Sequence, residues 1–200
     1  GTPPRKNPEY FKGDINWIKI SDMIRLDYTK DSKEKITKDA VKNSSTKEFP
    51  KDTVLISTFG TVGDVSLLGI NACTNQNITG IEVNKKILLP QFLMYYLHTL
   101  KPNFQIMSRG TIQKAINQNM IKSTEIPLPT LEIQKEFVLK MSQRKSVNQS
   151  GGIRNLVGYG NLVGSGLVSG LGFFGAVGGY ALPGCNSPSV RDVRETDFDR

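Results

Sequence analysis

The side chains best equipped for recognition stand close together in Ser108-Arg109-Gly110-Thr111-Ile112-Gln113-Lys114, with Asn117 three residues further on. Arg, Lys, Gln and Asn carry the paired donors and acceptors that match base edges in a DNA major groove. Lys and Arg also neutralise phosphates, which sets affinity without reading sequence. Gly110 in the middle of the segment suits a backbone that approaches a ligand closely. The competing reading is structural: Gln113 caps a turn and Arg109 pairs with a carboxylate.

Chemistry of other kinds finds no footing, and no catalytic residue is assigned. No Ser/His/Asp set, zinc cluster or phosphate-cradling glycine loop can be assembled. The single histidine, His98, lies among Tyr95, Tyr96 and Leu97 and reads as a structural or surface residue of a helix. Cys73 and Cys185 are far apart and in no ligand-like pattern, which argues for a reducing, cytoplasmic setting. No signal peptide is expected from the first residues, and the chain opens on Gly rather than Met, as a fragment or trimmed chain does.

The net charge is +8 over 200 residues, which favours a polyanionic partner. All of the excess lies in residues 1–149, with 22 Lys and Arg against 14 Asp and Glu. Residues 150–200 hold four of each and 12 of the 19 glycines. A domain limit is therefore expected there: a domain over 1–130, a helix over 131–149 and a Gly-rich extension over 150–200.

The elements that would carry the loop follow from local pattern. Residues 1–12 read as a polar loop, Asn16–Ser21 as a short strand and Ser21–Ile24 as a capped turn. Residues 29–48 read as loop with a polar helix around Lys33–Asn43. Thr53–Thr58 and Val65–Leu68 read as strands joined through Phe59-Gly60-Thr61-Val62-Gly63-Asp64, whose glycines permit a tight turn. Thr79–Val83 is a third strand candidate. Leu89–Leu97, with Pro90 near its start, reads as a buried helix. Gln105–Met107 lead into the Gly110 turn, and Ile116–Ile121 fits either a strand or a turn-rich segment. Leu131–Arg144 reads as a helix with Leu131, Phe137, Val138 and Met141 on one face. Trp17, Phe59 and Tyr96 are expected in the core rather than stacked on bases. The fold class is α+β, a mixed or antiparallel sheet with helices.

Three separated motifs occur in order. They are Gly1-Thr2-Pro3-Pro4-Arg5-Lys6-Asn7-Pro8-Glu9-Tyr10-Phe11 with Gly13-Asp14-Ile15 and Trp17; Gly60-Thr61-Val62-Gly63; and Gly110-Thr111-Ile112-Gln113 with Ile126-Pro127-Leu128-Pro129 and Gln134. Together they make residues 1–145 resemble the target recognition domain of a type I restriction-modification specificity subunit. The resemblance implies a non-catalytic module that reads half of a bipartite site in double-stranded DNA. It implies methyltransferase subunits with S-adenosylmethionine and a motor-nuclease subunit with ATP and Mg as partners, with no cofactor held by this chain. It also makes Arg5, Lys6 and Lys19 candidates for DNA contact, beside Arg109, Thr111, Gln113, Lys114 and Asn117. The alternatives are the recognition domain of a fused type II enzyme and a non-functional remnant.

In that family a long charged spacer helix follows the domain. Here the sequence turns to Ser146-Val147-Asn148-Gln149-Ser150-Gly151-Gly152, and no charge occurs from Asn155 to Val190. A truncated spacer helix is expected, so that two such chains could pair as a homodimer imitating a whole subunit. Three readings of the tail stay open: a loose Gly-rich extension, a recombined or frame-shifted end, and a glycine-zipper membrane helix over 156–182. Asn161, the serines and the helix-weakening glycines stand against the membrane reading.

Overall fold

The computed structural model describes the backbone of residues 1–150 and the side chains of residues 1–144. The chain divides into two units, Gly1–Met141 and Ser142–Arg200. The Gly-rich tail and Cys185 lie outside the described residues.

The first unit contains strands β1 (Ile15–Ile18), β2 (Tyr28–Thr29), β3 (Lys35–Ile36), β4 (Glu48–Phe49), β5 (Val54–Ser57), β6 (Val65–Leu68), β7 (Ala72–Thr74) and β8 (Ile78–Ile81). Helix α1 (Lys38–Lys42) follows β3, and α2 (Pro90–Thr99), α3 (Lys101–Arg109), α4 (Gln118–Lys122) and α5 (Leu131–Ser150) follow β8. The strands form two mixed four-stranded sheets, ordered β3-β1-β7-β4 and β2-β6-β5-β8. The first pairs β1 with β7 in parallel and the second pairs β2 with β6 in parallel; the remaining neighbours are antiparallel. This is the α+β mixed-sheet class expected from the sequence.

Strand alternation explains the layering. Ile18 turns toward Leu55, Leu68, Ala72 and Ile78, so the two sheets share one apolar core. Its neighbour Trp17 turns the other way, onto Ile36, Ala40 and Cys73 beneath α1. β5 and β6 are buried along their whole length, and α2 covers their other face. Each fully buried Val, Leu or Ile contributes about 1.5–3 kcal/mol. A 58–63 turn carried by these two strands therefore rests on the most deeply buried part of the unit.

Several elements differ from local expectation. The polar helix expected around Lys33–Asn43 shrinks to α1. Ile36 is drawn into pairing with Ile15 and complete burial, and Thr37 caps the helix by accepting from Ala40 N. The turn at Ser21 is a 3-10 turn over Ile20–Asp22, closed by Asp22 accepting from Lys19 N at 3.0 Å. β7 has no alternating pattern because all three of its residues are buried. Gln105–Met107 belong to α3, whose first turn contains Pro102. The Ile116–Ile121 segment becomes α4, capped by Asn117. Trp17 is core, but Phe59 is 48% exposed, against expectation, because it sits at the end of β5 where the chain leaves the sheet.

Helix α5 begins two residues after Pro129, which with Pro127 disfavours helix in the residues just before each of them. Gln134 fixes its first turn. This fully buried amide accepts from Leu89 N at 2.8 Å and donates to Pro129 O at 2.8 Å and Ile87 O at 2.9 Å. Phe137 packs edge-on against Phe92 and Tyr95 of α2.

Candidate nucleic-acid interface

The Gly60–Gly63 turn and the Ser108–Lys114 segment, far apart in sequence, meet in space. They face each other across an open depression of about 260 Å³ lined by Gly60, Val62, Gln105, Ser108, Arg109 and Lys114. Ile116 N donates to Thr58 O at 3.0 Å and Ile116 is buried, which ties the far end of the second segment to the first.

On one wall, Gly60 and Gly63 have φ of +72° and +84°, a region that costs an L-residue about 1 kcal/mol or more. Ser57 braces the turn, its hydroxyl bonded to Thr61 O and accepting from Asp64 N at 3.0 Å. Lys101 of α3 pairs with Asp64 at 2.6 Å and packs under Gly63.

On the other wall, α3 ends at Gly110, whose φ of −75° needs no glycine. The sequence pattern points to backbone freedom there; the left-handed residue is instead Lys114, at φ +49°. A strained non-glycine residue persists only when its surroundings hold it. Thr111 does so. Its hydroxyl accepts from Ala115 N at 3.0 Å, and its proton is shared between Ser108 O at 2.8 Å and Ala115 O at 3.0 Å. Lys114 N closes the turn on Thr111 O at 3.1 Å.

The expected site residues fall into two groups. Arg109 and Lys114 line the depression, and exposed Gln113 and Ile112 occupy the loop between them. Thr111 and Asn117, expected at the ligand, use their side-chain oxygens on the protein. Thr111 locks the loop and Asn117 Oδ1 accepts from Met120 N at 3.0 Å. The second group is Arg5 and Lys19, which converge on Glu34. Arg5 also lies 4.4 Å from the Phe11 ring centre and 5.4 Å from that of Trp17. Hydrogen bonding from Lys19, and then from Arg5, holds the Glu34 carboxyl below its ordinary pKa against its partial desolvation. The trio keeps one net positive charge. Lys6 is exposed beside it.

Sequence reasoning missed Gln105, which reaches the depression only because 101–109 is helical. It also missed Arg25, which acts on His98 together with Lys101 and Asp64. Burial, followed by the Arg25 and Lys101 charges and opposed by Asp64, pushes the His98 pKa down to about 4. His98 is therefore neutral at physiological pH and adds no charge here. Burial likewise pushes the Cys73 thiol up to about 11, so it is a packing group and not a nucleophile. Among the described residues no helix is long and apolar enough to cross a membrane.

The match to a family model is extensive. Residues 1–150 fit the type I restriction modification DNA specificity domain. The chain belongs to this family. It is 30% identical over 145 residues to the type I restriction enzyme MjaIX specificity subunit of Methanocaldococcus jannaschii, covering 70% of this chain and 33% of that protein. A putative MjaX specificity subunit of the same organism is 33% identical over 99 residues, 50% of this chain and 23% of its own length. The fold matches the crystal structure of the HsdS subunit from Thermoanaerobacter tengcongensis with a TM-score of 0.58 and 22% identity, over 75% of this chain and 35% of that one. A structure describing assembly of the type I R-M system matches at TM-score 0.60 and 20% identity, over 74% and 35% of the two chains. The specificity domain thus spans a third or less of these two curated relatives.

Proposed function

We propose that this chain is a target recognition module that reads one half-site of double-stranded DNA and brings methyltransferase and motor-nuclease subunits to it. The observation that carries this reading is the convergence of the Gly60–Gly63 turn with Arg109, Lys114 and Gln105 around one open depression. Its donors, carried by α3 and the loop that follows it opposite a turn set between two buried strands, are of the types that hydrogen-bond base edges and phosphates. Arg5, Lys6 and Lys19 serve as outlying phosphate contacts, weakened by Glu34 for the first and third. The module itself contributes no catalytic group and works in the cytoplasm, where its DNA is. S-adenosylmethionine, ATP and Mg belong to the partner subunits, and a second recognition module, from the same protein or from a second copy, supplies the other half-site.

The test is binding of the full chain to a randomised duplex library at two salt concentrations, with sequencing of the bound fraction. Enrichment of a motif of a few base pairs is expected. Binding that is insensitive to salt, or salt-sensitive with no enriched sequence, overturns the reading.

A further inference from the structure

We infer that Ile112 is a specificity-determining residue that reads the 5-methyl group of a thymine in the major groove. This rests on the DNA-reading function proposed above and names one of its contacts. Ile112 is completely exposed, at 104% of its reference area, at the tip of the loop that forms one wall of the depression. Single exposed apolar residues are common on protein surfaces, so exposure alone decides nothing.

The setting of Ile112 is what carries the inference. The loop is not a free coil: the three Thr111 hydroxyl contacts, the Lys114 turn and the Ile116–Thr58 bond fix it from both ends. Lys114, two residues beyond Ile112, is held in a left-handed conformation at φ +49°. An isoleucine is stiff about its first side-chain torsion, so it loses little freedom on contact. Its neighbours Arg109, Gln113 and Lys114 are charged or amide side chains suited to a polyanion with hydrogen-bonding edges. Phe59, next to Gly60 on the facing wall, is a second partly exposed apolar group. Among the groups that base pairs present in the major groove, the thymine methyl is the apolar one. A rigid aliphatic tip set among cationic and amide side chains is matched to that group. Gln113 beside it has the amide that pairs with the adenine of the same base pair.

The experiment uses the full chain, its Ile112→Ala variant and the duplex enriched from the library. Thymines in the enriched motif are replaced one at a time by uracil, which removes only the methyl group. For the unaltered protein one replacement is expected to weaken binding about three- to fivefold, the scale of one buried methyl. Ile112→Ala should bind the thymine duplex more weakly by at least that factor and show no further loss with uracil. Because Ile112 buries nothing, the variant should fold as the original does, which unfolding followed by Trp17 fluorescence checks. If the motif is enriched but every uracil replacement has the same effect on both proteins, Ile112 is not the reader, while the recognition function stands. If no motif is enriched, both fall. If Ile112→Ala leaves DNA binding intact but abolishes binding of a methyltransferase subunit, the tip is a protein contact and the proposal is overturned.

Discussion

Replacing Gln134 with leucine should destabilise the unit by about 2 kcal/mol. The amide is fully buried and makes three hydrogen bonds, to Leu89 N, Ile87 O and Pro129 O, spanning 45, 47 and 5 residues of chain. At about 1 kcal/mol net each, they contribute about 3 kcal/mol. The partners soften the loss unequally. Ile87 is 42% exposed, so its carbonyl regains water, whereas Leu89 and Pro129 are only half-exposed. Leucine is also cheaper to bury than an amide, which returns about 1 kcal/mol. The assay is denaturant unfolding followed by Trp17, the single tryptophan, which is 2% exposed in the first sheet. Gln134→Glu sharpens the test. Its carboxylate keeps the acceptor for Leu89 N but turns negative charge on two carbonyl oxygens, so its folded pKa rises above the ordinary glutamate value. Its deficit relative to the original protein, measured at each pH, should be greatest at neutral pH and shrink as pH falls toward about 4. A Gln134→Leu change under 0.5 kcal/mol, or a Gln134→Glu deficit independent of pH, would refute the idea that this amide clamps α5 to the 87–89 segment.

Other expectations concern the interface and its supports. Arg109→Ala and Lys114→Ala should each lower the slope of log affinity against log salt by about 1; Lys19→Ala, whose charge faces Glu34, should lower it less. Gly63→Ala should cost about 2 kcal/mol, since a methyl there meets Lys101 Cγ at 3.0 Å as well as φ +84°. Gly60→Ala, with open space around it, should cost about 1 kcal/mol; equal costs would remove the packing argument. Because His98 binds its proton less tightly folded than unfolded, its contribution is complete above about pH 6.5 and is lost as pH falls toward about 4. That loss approaches 3 kcal/mol in order of magnitude, at 1.4 kcal/mol per pH unit. His98→Gln should flatten this part of the stability profile, and an unchanged profile would mean that His98 is not the group responsible.

The sequence alone determined the class of the fold and the hairpin at its centre. Thr53–Thr58 is a β-rich run and Val65–Leu68 a short, mostly apolar one on the far side of two glycines, and both became buried strands with those glycines at positive φ. The ordered motifs carried the family, and Pro90 and Pro129 marked where helices start. Local pattern failed where tertiary contact outweighed it. β7 has no period because both its faces are covered, and Ile36 left a polar helix for a strand because burial beneath α1 outweighed weak helix propensity. α3 was hidden by its position before the Gly110 turn. The candidate site was half legible: the types Arg109, Gln113 and Lys114 were visible, but the meeting of Arg109 and Lys114 with Gly60 was not. Only folding decided that Thr111 locks the loop, that Asn117 caps α4, that Arg5 and Lys19 share Glu34, and that Lys114 carries the left-handed turn in place of Gly110. Residue type reports what a side chain can bond to; which bond it makes depends on neighbours that lie tens of residues away in the chain.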